Sequence, residues 1–419
     1  MAVPLKAHII GAGMAGLSAA VELTRAGYQA DISDSAAQAG GRCRSYHDPQ
    51  LNSVIDNGNH LVLAGNAAVA HYLDVIGASD RLSGPAHADF NFVDLTSGAR
   101  WQFRPNDSAV PWWLFKKDRR VPGAGVFAHL ALGRLLIGKA TDTVADRIKP
   151  GGVLWNRLLD PVLLSALNTD PAQGSAVLAA AVIRGSLAKG GRATRPRIAE
   201  PTLAAAFVDP AIDWLKLRGG QLATGTRLRA IQFKGDLVTG LDYGDAIVPV
   251  VADEPVILAV PPWVASGLVP DLTAPDDFRA IVNAHFKFTP PPGTPAMIGV
   301  VGGTIEWIFA FEDRVSITIS AADRLVDQDR ETLARGFWAE IVQVYGFPDA
   351  MPAWQIVKEK RATFAATPAQ DARRPGAKTR WRNLFLAGDW TQTGLPATIE
   401  GALQSGVTAA RLASAGRCV

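Results

Sequence analysis

Three groups of residues in this 419-residue chain have the types and spacing to do chemistry. The first is Gly11-Ala12-Gly13-Met14-Ala15-Gly16, followed by a lone carboxylate, Asp34, and then by Gly41-Arg42. Glycine at these spacings suits a phosphate-binding turn. Gly11 permits the tight bend, Gly13 leaves the backbone open to a pyrophosphate, and Gly16 lets a helix lie close on its strand. Met14 and Ala15 then open a helix whose free N–H groups face the phosphates. Asp34 can accept both hydroxyls of a ribose, and the Arg42 guanidinium can fork onto a pyrophosphate. The second group, Gly388-Asp389 and Ala397-Thr398-Ile399, pairs an acid with another glycine-bordered helix start. The third is a scatter of polar side chains able to touch a reacting group: His60, Asn168 and His285.

The elements needed to hold these residues are legible around them. Ile9–Ile10 forms a short apolar strand, a helix-period segment runs to about Gly27, and a second strand from Gln29 to Ser33 ends at Asp34. That order makes a βαβ unit that binds a dinucleotide. Asn383 to Trp390 is a buried strand ending in Gly-Asp, with a helix through Leu412 behind it. That helix would aim its positive end at a ring that collects negative charge. Between the two ends, residues 66–82 show a helical period, and Phe90 to Phe103 reads as a hairpin around Ser97-Gly98. Val126 to Ile137 reads as an apolar helix, Trp155 to Asp170 as a helix broken near Pro161, and 189–197 as a flexible loop. Thr226 to Ile231 and Pro255 to Pro262 read as strands. Asn283, His285 and Lys287 alternate along another, so they share one polar face. That face turns to solvent, the preferred reading, or to a reaction chamber.

Gly40-Gly41-Arg42 just after the acid resembles the FAD-binding amine-oxidase superfamily, and the second signature repeats that likeness, so FAD is the expected cofactor rather than NAD. The segments GGRCRSY, IDNGNHLVL, SALNTDP, EKRATF and LAGDWTQTGLPATIEGALQSG, spread from Gly40 to Gly406, resemble those of the hydroxysqualene dehydroxylases, or squalene-associated FAD-dependent desaturases. The resemblance implies an α/β fold: a Rossmann-like FAD-binding domain of the two-dinucleotide-binding-domain type, with an α+β substrate domain and a helical insertion. It implies FAD-domain pieces at 1–65, 218–265 and 380–419. The substrate domain would take 66–217 and 266–379, with 105–217 mostly helical. It also implies backbone near Leu228 against the adenine, Gly58 and Asn59 beside the flavin ring, and Asp389 at a ribityl hydroxyl or the pyrophosphate. Asn59 stands where the family pattern leads us to expect glutamine. The implied reaction is reductive: the allylic hydroxyl of hydroxysqualene leaves as water and flavin N5 supplies hydride, giving squalene. His60, as a flavin contact or a proton donor, is weighed against a histidine packing the domain junction. A carotenoid-type desaturase or isomerase and a non-catalytic isoprenoid-presenting flavoprotein are the rival readings. The second fingerprint has no cysteine for covalent attachment, so the FAD is expected to be noncovalent.

Bulk properties narrow the partners. Hydrophobic residues make up 48% and charged residues 19%, with a net charge of +3, so no nucleic-acid footprint is expected. The two cysteines, Cys43 and Cys418, give neither a disulfide framework nor a metal site, which fits a cytoplasmic setting. No signal peptide and no spanning segment are recognisable. The segment Trp112 to Arg120 places aromatic bulk directly before four cations; it reads either as a helix docked on the substrate domain with a solvated basic end or as a contact with a membrane surface. The electron donor is not written in the sequence.

Overall fold

Three distant stretches of chain contribute to one parallel sheet. In this computed structural model, which describes residues 5–415, the strands lie in the order Gln221–Ala223, Gln29–Ser33, Lys6–Ile10, Val256–Leu258 and Leu384–Leu386. Ile9 stands opposite Ile32 on one side and Ile257 on the other, and Ile257 stands opposite Phe385. Alternate residues point to opposite faces, and both faces are covered, which is why these strands read as continuous apolar runs. Ile9, Ile32, Ile257 and Phe385 pack under the helices Met14–Arg25 and Ile399–Ser414. Ile10, Leu258 and Leu386 pack on the other face, beneath a three-stranded antiparallel sheet formed by Ala230–Lys234, Leu237–Asp242 and Ile247–Pro249. The two helices touch closely: a Cβ at Gly406 would come 2.4 Å from the Ala15 carbonyl oxygen, and Ser18 Oγ donates to Leu403 O at 2.9 Å.

A second sheet of seven strands stands over the first. Its order is Trp354–Phe364, Phe278–Phe286, Val315–Ile319, Trp307–Ala310, Met297–Val301, Phe90–Asp94 and Arg100–Phe103. One face carries Val282, Ala284, Phe286, Ile308 and Ile317 against the helix Arg330–Tyr345. The opposite face carries Asn283, His285, Ser316 and Thr318 and, beside them, Trp307 and Phe309.

The stretch between residues 105 and 217 is assembled from short helices and turns, and it differs from the sequence reading in three places. Pro161 does not break a helix. A π-turn, Trp155–Leu159, runs straight into the α-helix Asp160–Leu167, with the proline in the new helix's first turn, where its missing N–H costs nothing. The same device recurs at Ala204–Val208 and Asp209–Lys216, again before Asp-Pro. Residues 189–197 are not a loose loop. Gly191–Thr194 is a helical turn, and Pro196–Ala199 is the middle strand between Leu61–Leu63 and Leu82–Ser83. The glycines there serve close approach: Gly191 N donates to Asn106 O at 2.7 Å, and a Cβ at Gly190 would lie 2.3 Å from Ser108 O. The stretch 126–137 divides into the helix Val126–Leu130 and the 3-10 turns Ala131–Ile137. Further on, the strand expected from Thr226 begins only at Ala230, because Thr226 N is committed to Asp34 O at 2.8 Å. Cys418 lies outside the described residues, and Cys43 is buried with its thiol free.

Candidate active site

The first glycine turn is built as a cradle with one wall missing. Gly11 has φ of +107°, and a Cβ there would strike Ala259 O at 2.3 Å, so only glycine fits. A Cβ at Gly16 would lie 1.8 Å from Gly11 O, so the helix start is pressed against its own turn. Gly13 differs from both. Its φ is an ordinary −77°, and a Cβ there would meet nothing within 4 Å. Nothing in the protein's own packing requires glycine at this point; the open space does, if a ligand backbone is to lie there. Gly13 is also the N-cap of Met14–Arg25 and offers no side chain to that helix's N–H groups. An uncapped N-terminus beside vacant space fits the pyrophosphate of FAD.

Asp34 and Arg42 close the cradle. Asp34 Oδ2 accepts from Ala12 N at 2.7 Å and Oδ1 from Ala36 N at 2.8 Å, which fixes the carboxylate while leaving further lone pairs for ribose hydroxyls. The Leu228 stretch is pinned alongside, through Gly225 N to Ala36 O and Thr226 N to Asp34 O, each 2.8 Å, and Leu228 itself is buried. Gly41 has φ of +57° and faces Gly13 Cα. The Arg42 guanidinium lies 2.8 Å from Asp389 Oδ2 and donates to Ala362 O. Burial is the largest influence and works against its charge, but the charge and hydrogen bond of Asp389, with Cys43 and Glu359 behind them, together raise its affinity for the proton. The two fingerprints, distant in sequence, are therefore joined by one ion pair.

The C-terminal signature is braced from behind. A Cβ at Gly388 would collide with the Trp390 indole at 2.4 Å, and Gly388 N donates to Ser405 Oγ at 2.8 Å. Thr398 caps the helix Ile399–Ser414, accepting from Gly401 N at 3.1 Å. Ala397 and Ile399 flank this cap, so the segment presents a helix N-terminus as the sequence suggests. Two supports were not visible beforehand. Glu400 accepts from Ala68 N and Val69 N, each at 3.0 Å, capping the helix Ala67–Ile76 with both carboxylate oxygens. Arg374 is buried, pairs with Asp371 at 2.9 Å, and donates to Thr391 O, Asp389 O and Thr393 Oγ1, holding the whole 389–393 turn. The signal for Glu400 was its place in the first turn of a helix. Arg374 sits in the sequence pair Arg373-Arg374 with no local mark.

The expected polar candidates divide. The face bearing Asn283 and His285 does not turn to solvent: both are buried, and only Lys287, beyond them, is exposed. His285 is fully enclosed, with Nε2 3.0 Å from Asp56 O and Nδ1 2.8 Å from Ser316 Oγ. Burial, then the charge of Arg314, pushes its pKa down to about 4, so the ring is neutral and both nitrogens are used. Asn168 is the left-handed C-cap of Asp160–Leu167. It accepts from Ala321 N at 2.6 Å and donates to Thr363 Oγ1 at 2.9 Å, a tie between helix and sheet. Both side chains are committed to partners that are invisible in local sequence.

His60 and Asn59 do come together, in a cleft lined also by Asp56, Ile198, Ala199, Leu203 and Phe311. Burial and then the Arg42 charge push the His60 pKa down to about 4, so its ring is neutral near pH 7. A Cβ at Gly58 would lie 2.9 Å from Asn283 Nδ2, so this glycine makes room for the second sheet. Asn283 then fixes its neighbour by donor accounting. Asn283 Oδ1 accepts the Thr318 hydroxyl hydrogen at 2.8 Å, so Thr318 Oγ1 must accept in turn, and it does, from Asn59 Nδ2 at 3.2 Å. Asn59 Nδ2 also donates to Ile317 O at 3.2 Å. The amide oxygen of Asn59 is thereby oriented and buried, with no partner among the described residues. A buried acceptor left open calls for a donor.

Asp56 supplies a carboxylate to this cleft, and a further carboxylate, Glu306, directly precedes the strand Trp307–Ala310. Asp56 Oδ1 accepts from Ser45 Oγ at 2.6 Å and Leu203 N at 2.9 Å. Glu306 Oε2 accepts from Ser320 N at 2.9 Å, and burial raises its pKa to about 7. Among the described residues, no group of three His, Cys, Asp or Glu side chains could hold a metal, and no helix is long and apolar enough to cross a membrane.

This site on this fold defines a flavoprotein oxidoreductase, and comparison with known proteins agrees. The sequence profile of the flavin-containing amine oxidoreductases matches residues 14–414. The fold superposes on cyclohexylamine oxidase from Brevibacterium oxydans with a TM-score of 0.70, covering 99% of each chain at 15% identity. Sequence likeness is far closer elsewhere. The chain is 51% identical to the hydroxysqualene dehydroxylase of Rhodopseudomonas palustris, over 98% of this chain and 99% of that one. It is 49% identical to the hydroxysqualene dehydroxylase of Zymomonas mobilis, over 97% and 98%. The chain belongs to the flavin-containing amine oxidoreductase family, and within it to the hydroxysqualene dehydroxylases.

Proposed function

We propose that this protein reduces hydroxysqualene to squalene with noncovalently bound FAD. The observation that carries the reading is the near-full-length likeness to two hydroxysqualene dehydroxylases at about half identity. Gly11, Gly13, Met14, Ala15 and Gly16 would hold the pyrophosphate, Asp34 the adenosine ribose, and Leu228 backbone the adenine. Gly41 and Arg42 would join Asp389 at the phosphates and ribityl chain. Gly58 would lie along the flavin ring, and Ala397, Thr398 and Ile399 would aim a helix N-terminus at it. Reduced FAD supplies the hydride. The substrate oxygen takes up a proton and leaves as water with the C–O electron pair, so the carbon gains a hydride and the balance closes with oxidised flavin, squalene and water.

The chain's own residues orient that oxygen. Asn59 Oδ1 accepts the substrate hydroxyl hydrogen, which leaves the oxygen lone pairs free to be protonated. His60, neutral near pH 7, serves as a hydrogen-bond donor to the same oxygen rather than as a charged acid. The apolar wall beyond, with Phe311 and Ile198, keeps bulk water from the reacting carbon. Such an apolar substrate resides in lipid, which favours a cytoplasmic protein working at a membrane surface, with residues 112–120 as the contact. The test is anaerobic. Photoreduced holoprotein is mixed with hydroxysqualene, and extracted product is followed beside the flavin absorbance. Squalene should appear in step with flavin reoxidation. Reoxidation without squalene, or no flavin in the purified protein, would overturn the reading.

A further inference from the structure

Between Val110 and Ile137 the protein exposes large apolar side chains that a water-facing surface does not need. Phe127 is 87% exposed, Ile137 72%, Phe115 71% and Trp112 63%, and Val110, Leu130 and Leu136 join them. They form one surface. The rings of Trp112 and Phe115 sit 6.3 Å apart. Trp113, buried beneath them, meets His129 edge-on at 5.3 Å, which seats the helix Val126–Leu130 against the turn Trp112–Phe115. Leu114, Val121, Leu132 and Leu135 fill the core below, so this helix and the 3-10 turns after it have spent one side on the fold and present a second apolar side outward. Patches of this kind mark contact sites.

Charge identifies the contact. From Val110 to Lys139 the sequence holds six cations, Lys116, Lys117, Arg119, Arg120, Arg134 and Lys139, and a single anion, Asp118. That is a net +5 in a chain whose total is +3. Among the described residues, none of the six cations is engaged in an ion pair. Apolar prongs ringed by unpaired cations complement an anionic bilayer surface: the side chains enter the acyl boundary while the cations meet headgroups.

The surface also leads inward. Trp113 packs on Phe103 with ring centroids 5.0 Å apart, and Phe103 on Phe90 at 6.4 Å. Phe92, on the same strand and face as Phe90, stacks on Trp101 at 5.5 Å and meets Trp307 at 5.6 Å. Trp307 stands opposite Thr318, the residue that orients Asn59. An aromatic track thus joins the exposed patch to the cleft.

We infer that residues 110–139 dock this protein on anionic lipid bilayers, with Phe127, Leu130 and Ile137 as the inserting prongs and the Lys116–Arg120 group as the headgroup contact, so that substrate passes from the bilayer along the aromatic track. The docking half stands on exposure and charge alone; the passage half rests on the proposed function. The two are tested apart. Holoprotein without substrate is floated with vesicles of phosphatidylglycerol and phosphatidylcholine, or of phosphatidylcholine alone, at low and high salt. The parent should bind the anionic vesicles, less so at high salt. Phe127→Ser with Ile137→Ser should lower binding about tenfold or more at either salt, and a Lys116→Gln, Lys117→Gln, Arg119→Gln, Arg120→Gln variant should lose the salt dependence as well as affinity. Both variants alter exposed or half-exposed positions, and FAD absorbance and thermal midpoint check that they are folded. Squalene formation from detergent-dispersed hydroxysqualene should stay within about twofold of the parent, whereas turnover of vesicle-borne substrate should fall with binding. Unchanged flotation in both variants overturns the docking surface. So does a parent dimer that the Phe127→Ser, Ile137→Ser pair converts to monomer, since the patch would then be an interface between copies. Lost flotation with unchanged vesicle-borne turnover overturns the passage. No squalene from detergent sinks the proposed function and leaves the docking result standing.

Discussion

Gly13→Ala against Gly16→Ala separates a glycine kept for a ligand from a glycine kept for the fold. At Gly13 the new methyl meets no protein atom within 4 Å, and φ of −77° is ordinary for alanine. Losing glycine's freedom in the unfolded chain should stabilise by about 0.4–1 kcal/mol. Alanine is a poorer N-cap than glycine, which costs about as much. The two nearly cancel, and for a chain of this size the thermal midpoint of the FAD-free protein should move by no more than about 2 °C. At Gly16 the methyl would sit 1.8 Å from Gly11 O, a backbone atom with nowhere to go, so the fold should lose about 3 kcal/mol or more. FAD reads the opposite pattern. With its phosphates in the cradle, the Gly13 methyl overpacks the ligand at about 1–3 kcal/mol, which is about 5- to 150-fold in Kd. Thermal unfolding with and without FAD, together with flavin fluorescence titration, measures both quantities. Parental FAD affinity in Gly13→Ala would refute the cradle. A FAD-free Gly13→Ala that unfolds as early as Gly16→Ala would show that the space is not open.

Three further expectations follow from neighbouring residues. Asp34→Ala should lose the anchors to Ala12 N and Ala36 N together with the ribose contacts, each about 1.5–3 kcal/mol, so FAD retention on gel filtration should collapse while Asp34→Asn keeps part of it. Asn59→Leu should retain FAD but raise KM for hydroxysqualene about tenfold without changing the Kd of squalene, which lacks the hydroxyl; equal loss for both ligands would remove Asn59 from the hydroxyl contact. Glu306, held near pKa 7 against its ordinary 4.5, binds its proton more tightly when folded than when unfolded. Stability from this group is therefore full below about pH 4.5, falls by up to roughly 3 kcal/mol as pH rises to about 7, and is flat above. Glu306→Gln should flatten that slope in urea midpoints taken at pH 5 and pH 8, and an unchanged slope would assign it to other groups.

The cofactor half of the molecule was legible because its chemistry is local. Gly11 and Gly16 are demanded by backbone atoms a few residues away or beyond the next strand, Gly388 by the indole two residues on, and Asp34 binds the two turns that flank it. Such constraints leave fixed spacings. The opposing sheet was less legible. Asn283, His285 and Lys287 alternate like any polar strand face, and the residues that bury the first two, Ser316, Thr318 and the carbonyl of Asp56, arrive from elsewhere in the chain. The capping role of Asn168 was hidden for the same reason, since a left-handed helix cap looks like any other Asn in sequence. The π-turns before Asp160-Pro161 and Asp209-Pro210 were hidden because a proline signals a helix start and a helix break with the same letter. In 126–137 the apolar run was visible, but not the fact that part of it faces outward.

The parallel sheet has a consequence for the order of synthesis. Its edge strand Leu384–Leu386 comes from the last tenth of the chain, and Asp389 follows it. While the ribosome makes the preceding residues, at about 5–20 per second, Val256–Leu258 has one unpaired ladder edge and Arg42 has no carboxylate to hold. The whole seven-stranded sheet can form during that interval, whereas the flavin half waits for the final helix to arrive and cap Ala67–Ile76 through Glu400. Cofactor capture is thus a late event in the life of the nascent chain. A stop codon between Phe364 and Leu384 yields a protein with its first phosphate turn intact, an open sticky edge, and no means of keeping its flavin.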